Sequence, residues 1–175
     1  SPHNTASRNA ILGGGHQLLP GEISLATHGI LFLDELPEFR RDVLEALRQP
    51  MEDKKIILNH TGHSATYPCN FLLLATANPC PCGYYGSNVK ECTCSEHQIR
   101  NYMKKISGPL LDRIDIQVEL PSLSFEEMSS AKPTESSADI RARVVAARKF
   151  AADRMGEDAR RIHSNAMLDP AGIRK

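Results

Sequence analysis

The stretch "GILFLDELPEF", residues 29–39, decides how this chain is read. Ile30 to Leu33 form a continuous apolar run, bounded by Gly29 before it and two acids after it. Such a run, without polar alternation, predicts a strand buried on both faces, of the kind found in parallel sheets covered by helices on each side. Asp34 and Glu35 follow at once. Paired acids at the end of a buried strand suit the holding of a metal ion and the polarising of a water.

Reading outward, residues 1–28 are loop-like, with "LGGGHQLLPGE" as their flexible centre. After the acids, Pro37 suits a helix start, and Phe39, Val43, Leu44 and Leu47 recur at helical spacing, with Pro50 marking the end. "KKIILNHTGHSATY", residues 54–67, predicts a hairpin turning at Gly62. "FLLLATANP", residues 71–79, is a second apolar strand, and "RIDIQVELP", residues 113–121, alternates as a third. Between them, residues 95–106 predict a short helix with Ser95 as its N-cap.

The small polar run 129–138 reads as a linker. Residues 139–155 predict a helix whose stripe is Ile140, Val144, Ala147 and Ala151. That stripe needs a partner which the tail, expected to be only partly ordered, hardly supplies. The domain reading is therefore an α/β core over 1–128, a linker over 129–138, and the start of a helical lid over 139–175.

Composition sets limits. The 175 residues are 41% hydrophobic and 24% charged, with Lys+Arg 21 against Asp+Glu 21. This is an ordinary balance for a globular protein, and any nucleic-acid contact must be local rather than global. No apolar run approaches the length of a membrane span, and no charged-then-apolar leader opens the chain, so a cytoplasmic protein without membrane contact is expected. The opening "SPHNTASRNA" lacks a Met, and the chain is expected to be a piece of a longer protein.

Three motifs carry chemistry. "ILFLDE" has the Walker B pattern of P-loop ATPases. There Asp34 would position Mg²⁺, a hard cation that takes oxygen ligands in octahedral geometry. Glu35 would polarise the attacking water. In "LLLATANP", Asn78 closes a second buried strand, and the carboxyl ends of neighbouring parallel strands line one crevice. In "ISGPLLDRIDI", Arg113 follows an apolar turn, where a guanidinium could reach a transferring phosphoryl group or simply pair with Asp112 or Asp115.

The ordered set "PHNTAS", "GGG", "PGEISLATHGILFLDELPEF", "LEALRQPMED", "FLLLATANPCPCGYYG" and "ISGPLLDRIDI" resembles the magnesium-chelatase-like AAA+ ATPases, and among them the ComM/YifB type. The resemblance runs from residue 1 to about residue 128. It implies a partial AAA+ P-loop ATPase core, an α/β parallel sheet flanked by helices with a β-hairpin before sensor 1. The whole protein would assemble as a homo-hexamer and hydrolyse ATP with Mg²⁺ to drive DNA remodelling or branch migration. The chelatase relatives imply an alternative, an ATP-driven accessory subunit acting on a partner protein. By the same resemblance Asp34 and Glu35 match the Walker B pair, Asn78 matches sensor 1, and Arg113 matches the arginine finger. The segment 54–67 matches the pore-facing hairpin, with Lys54, Lys55, His60 and His63 as candidate DNA contacts. Such contacts act additively on phosphates.

One departure bears on activity. The phosphate loop G-x-x-x-x-G-K-[ST] is absent from the 175 residues, and no Gly-Lys pair occurs in them. Sensor 2 is likewise expected outside them, so this piece should bind ATP weakly or not at all and be inactive alone.

Cys80, Cys82, Cys92 and Cys94 make two C-x-C pairs, while Cys69 stands alone in an apolar context. Four thiolates suit a structural tetrahedral Zn²⁺, with His97 as a substitute ligand, although C-x-C is a weaker signal than C-x-x-C. Free thiols or an oxidised disulfide are the other readings. A zinc-stabilised interaction module without enzymatic activity is therefore a third functional class.

Overall fold

The computed structural model describes residues 1–123, 125–129 and 135–155. The chain divides into two compact units, Ser1–Ser124 and Phe125–Lys175.

In the first unit, β3 (Ile30–Leu33) and β6 (Leu72–Ala75) pair in parallel, with Ile30 opposite Leu72 and Leu33 opposite Ala75. Before them lie α1 (Arg8–Leu12), the short ladder β1 (Gly13–Gly14) and β2 (Leu19–Pro20), and α2 (Glu22–Leu25). The β1–β2 ladder closes so tightly on Gly21 that a Cβ there would stand 2.2 Å from the Gly13 nitrogen. Only glycine fits.

Between the parallel strands run a 3₁₀ turn at Leu36–Glu38, then α3 (Arg41–Ala46), α4 (Arg48–Asp53), and the antiparallel hairpin β4 (Lys55–His60) and β5 (His63–Pro68). The hairpin turns at Thr61–Gly62, both with positive φ, which is the two-residue geometry that matches strand twist. After β6 come α5 (Glu96–Met103) and α6 (Gly108–Leu111).

One core holds this unit. Leu31 and Leu33 of β3 meet Val43, Leu44 and Leu47 from the α3 segment, Ile11 and Leu12 from α1, and Ile106 and Leu110 near α6. Fully burying each such side chain contributes about 1.5–3 kcal/mol.

Several expectations change. Among the described residues, the two faces of the apolar strands are covered unequally. Leu31 and Leu33 are buried, but Ile30, Leu72 and Leu74 on the other face are 62%, 63% and 53% exposed. Within the first unit, the described core residues of α1 and α3 pack with Leu31 and Leu33.

The helix expected to stop at Pro50 continues as α4, with Pro50 buried in its first turn. A missing N–H costs nothing at that position. The strand expected over 113–121 is not formed. Residues 116–123 carry no regular structure, and Ile116, Val118 and Leu120 are 79%, 74% and 83% exposed. Alternation alone does not make a strand, because a strand needs a ladder partner, and no described strand pairs with this one.

The 71–79 strand shortens to Leu72–Ala75, and the 95–106 helix to Glu96–Met103. Ser95 does cap that helix, in a full capping box with Gln98.

The second unit contains α7 (Phe125–Ser129) and α8 (Ser137–Met155). The expected linker loses Ser129 to α7, and its residues 130–134 lie outside the described residues, as does the tail from residue 156. α8 starts two residues earlier than expected and has no buried residue.

Candidate nucleotide half-site and cysteine cluster

The parallel register brings the carboxyl ends of β3 and β6 side by side. Thr76, the first residue past β6, joins them. Its N–H donates to the Leu33 carbonyl at 3.1 Å, and its carbonyl accepts from the Leu36 N–H at 2.8 Å. Its hydroxyl donates to Asp34 Oδ1 at 2.5 Å and accepts from the Glu35 N–H at 3.0 Å. One threonine thus fixes the carboxylate of one acid and the backbone of the next.

Both acids are exposed. They share a cavity of about 260 Å³ with Ser1–Asn4. Glu35 adopts a left-handed conformation, φ 54 and ψ 54, as it turns the chain into the 3₁₀ segment. For a residue other than glycine that costs about 1–2 kcal/mol. Leu36 and Pro37 directly behind it are buried and hold the turn in place.

Asn78 lies two residues beyond Thr76 with an exposed side chain, at the same end of the sheet. Thr76 went unremarked in the sequence, although a hydroxyl at the point where the apolar run "FLLLA" stops is the signal that could have found it.

Arg113 is held inside the chain. Its Nη1 donates to the Pro109 carbonyl at 2.5 Å, and its Nη2 bonds Glu52 at the end of α4. Its side chain is 24% exposed. The partner is Glu52, 61 residues away in sequence, rather than Asp112 or Asp115.

The hairpin residues fall into two places. Lys54 and Lys55 sit at its base, Lys54 with positive φ at the α4 C-cap, while His60 and His63 face each other across the tip. The five steps from Lys55 to His60 put about 17 Å between the two ends. At the tip, the His60 Nε2 and His16 Nδ1 atoms are 2.9 Å apart, with the rings in an edge-on contact. The Tyr67 hydroxyl donates to the Leu18 carbonyl at 2.8 Å. The loop between β1 and β2 therefore leans on the hairpin. A larger cavity of about 600 Å³ lies between α1, this loop and β4, and none of the paired acids lines it.

The cysteines separate into two kinds. Cys69 is fully buried, and burial pushes its thiol up to about 11. The other four converge. Their sulfurs all lie within 4.8 Å of one another. Backbone N–H groups, first of Tyr84 and then of Thr93, draw the Cys82 thiol down to about 5. His97 is not among the converging groups; its ring contacts Asn101 in α5.

A parallel pair bearing paired acids at its carboxyl end, with helices and a hairpin inserted between its strands, fits a partial AAA+ core of the α/β class. Residues 1–128 match the family described as magnesium chelatase, subunit ChlI, and the chain belongs to that family. It is 45% identical over 176 aligned residues to a protein of Escherichia coli K12 called YifB, covering 100% of this chain and 33% of that one. It is 43% identical to the competence protein ComM of Haemophilus influenzae, over 90% of this chain and 31% of that one. The chain thus spans about a third of the length of these relatives. A solved structure of NtrX from Brucella abortus in complex with ADP aligns over 89% of this chain and 29% of its own, with 14% identity and a TM-score of 0.45. Among the described residues, no helix is long and apolar enough to cross a membrane.

Proposed function

We propose that this chain is the Walker B and sensor part of a AAA+ ATPase. The observation that supports this best is the Thr76 bridge, which locks Asp34 and Glu35 together at the carboxyl end of a parallel pair.

The residues present fit the metal side of a Mg²⁺–ATP site. Asp34 offers an exposed carboxylate whose Oδ1 is already oriented by Thr76. Glu35, one residue on, would accept a proton from the attacking water. Asn78 would orient that water. Bound Mg²⁺ would supply charge neutralisation on the phosphate oxygens. The Gly-Lys of a phosphate cradle is not among the 175 residues, so this chain alone should bind ATP weakly and turn none over.

In a full-length homo-hexamer, Arg113 would leave Glu52 and complete a neighbour's site. The work done would be remodelling of DNA in the cytoplasm, with the β4–β5 hairpin as the contacting element. That substrate is favoured by a relative named as a competence protein. A second reading, an accessory acting on a partner protein, is favoured by the family's description as a magnesium chelatase subunit.

ATPase activity of the full-length protein with and without branched DNA separates the readings. Stimulation by DNA, lost in Glu35→Gln, supports the first. Hydrolysis indifferent to DNA supports the second, and absence of any hydrolysis sinks both. For the 175-residue chain, micromolar binding of ATP with Mg²⁺ by calorimetry would overturn the half-site reading.

A further inference from the structure

Residues 79–95 contain no helix or strand, and between 80 and 94 only Cys80 is buried. A loop of this length without structure of its own is uncommon in a compact domain unless something fixes it. No hydrophobic cluster does so here: Tyr85 and Val89 are 56% and 59% exposed.

What the loop does have is four sulfurs at one point. Cys80 to Cys82 is 3.4 Å, Cys82 to Cys92 is 3.6 Å, and Cys80 to Cys92 is 3.7 Å. Cys94 completes the group within 4.8 Å. Four sulfurs at about 2.3 Å from a tetrahedral Zn²⁺ stand about 3.8 Å from each other. Three sulfurs in a near-equilateral triangle of that size, with a fourth closing on it, make the geometry of one central ion.

Two disulfides would instead need two close pairs, and all four thiols are free. The turns that bring the sulfurs in are built for this. Gly83 and Gly86 have φ of 82 and 78, conformations that glycine adopts without strain. The Tyr85 N–H donates to the Cys80 sulfur at 3.4 Å, a bond suited to a metal-bound thiolate.

We propose that Cys80, Cys82, Cys92 and Cys94 form a structural tetrathiolate Zn²⁺ site. The all-sulfur donor set selects a soft or borderline cation over Mg²⁺ or Ca²⁺. Four protein ligands leave no open position for a substrate water, so the ion is structural and not catalytic. It ties the exit of β6 to the start of α5: Cys80 follows Asn78 and Pro79, and Cys94 precedes the Ser95 cap. The ion would brace the segment carrying Asn78, but the site stands whether or not the chain serves an ATPase.

The test is elemental analysis of the protein purified without chelator. About one zinc per chain is expected, falling to near zero in Cys82→Ser and Cys92→Ser. Less than half a zinc per chain in the wild type, or iron in its place, overturns the proposal. Because the variants could fail to fold, Co²⁺ is exchanged into the wild-type protein as a second readout. The intense ligand-field absorption of tetrahedral tetrathiolate cobalt supports the site. A weak octahedral spectrum, or four thiols that react at full rate with zinc in excess, refutes it.

Discussion

The hydroxyl of Thr76 lies 2.5 Å from Asp34 Oδ1 and donates to it, while accepting from the backbone of Glu35 at 3.0 Å. Thr76→Val keeps the shape and removes both bonds. It leaves the Glu35 N–H without that partner, which should cost about 1 kcal/mol, a melting shift of about 2–4 °C for a domain of this size. Under the proposed function, kcat of the full-length protein should fall about tenfold, which corresponds to about 1.4 kcal/mol of barrier. Thr76→Ser should restore both values. Equal loss in Val and Ser variants would mean that packing of the methyl group, and not the bridge, is what matters.

Two strands, the hairpin and the capped helix α5 were legible because each is written in local pattern: apolar runs within 30–33 and 71–79, Gly62 at a turn, and Ser95 as an N-cap. The third strand was not. Ile114, Ile116 and Val118 alternate as a strand would, but pattern says nothing about whether a neighbouring edge exists. The exposure of Ile30, Leu72 and Leu74 was not legible either, since an apolar run does not say what covers each of its faces. At the site, Asp34, Glu35 and Asn78 were read from adjacency to strand ends. Thr76 and Glu52 were missed because their partners, 42 and 61 residues away, are fixed only by the tertiary arrangement.

Glu35 offers a test in which stability and activity move apart. Its left-handed backbone strains a glutamate but not a glycine. Glu35→Gly should therefore be neutral or more stable, by up to about 1 kcal/mol, while abolishing hydrolysis in the full-length protein. Glu35→Gln should leave melting unchanged and abolish hydrolysis equally. A Glu35→Gly protein clearly less stable than wild type would show that the carboxylate itself holds the fold.

Arg113 and Glu52 form an ion pair that an intersubunit role must break. In the 175-residue chain the two should couple by about 1 kcal/mol in a double-mutant cycle on thermal stability, the upper end of what exposed pairs give. If the full-length protein assembles as the proposed ring, their roles diverge. Arg113→Ala should abolish ATPase activity, whereas Glu52→Gln should leave it intact or raise it by freeing the guanidinium. If both variants lost activity in proportion to lost stability, Arg113 would be a structural residue only.

The hairpin gives a prediction about independence. Lys54 and Lys55 stand at its base, and His60 at its tip is joined to His16. If the base touches duplex phosphates, Lys55→Ala should weaken binding by the full-length protein uniformly across sequences and lower the salt slope by about 0.9 per lost phosphate contact. His16→Ala and His60→Ala remove the same contact, so their effects should not add. Lys55→Ala should add to either one, because about 17 Å of strand separates the two ends. Measured by DNA affinity across a salt series, additivity between His16→Ala and His60→Ala would dissolve the tip as a unit. An unchanged slope in Lys55→Ala would remove the base from the interface. The two results are independent, so the hairpin's two ends can be assigned separately.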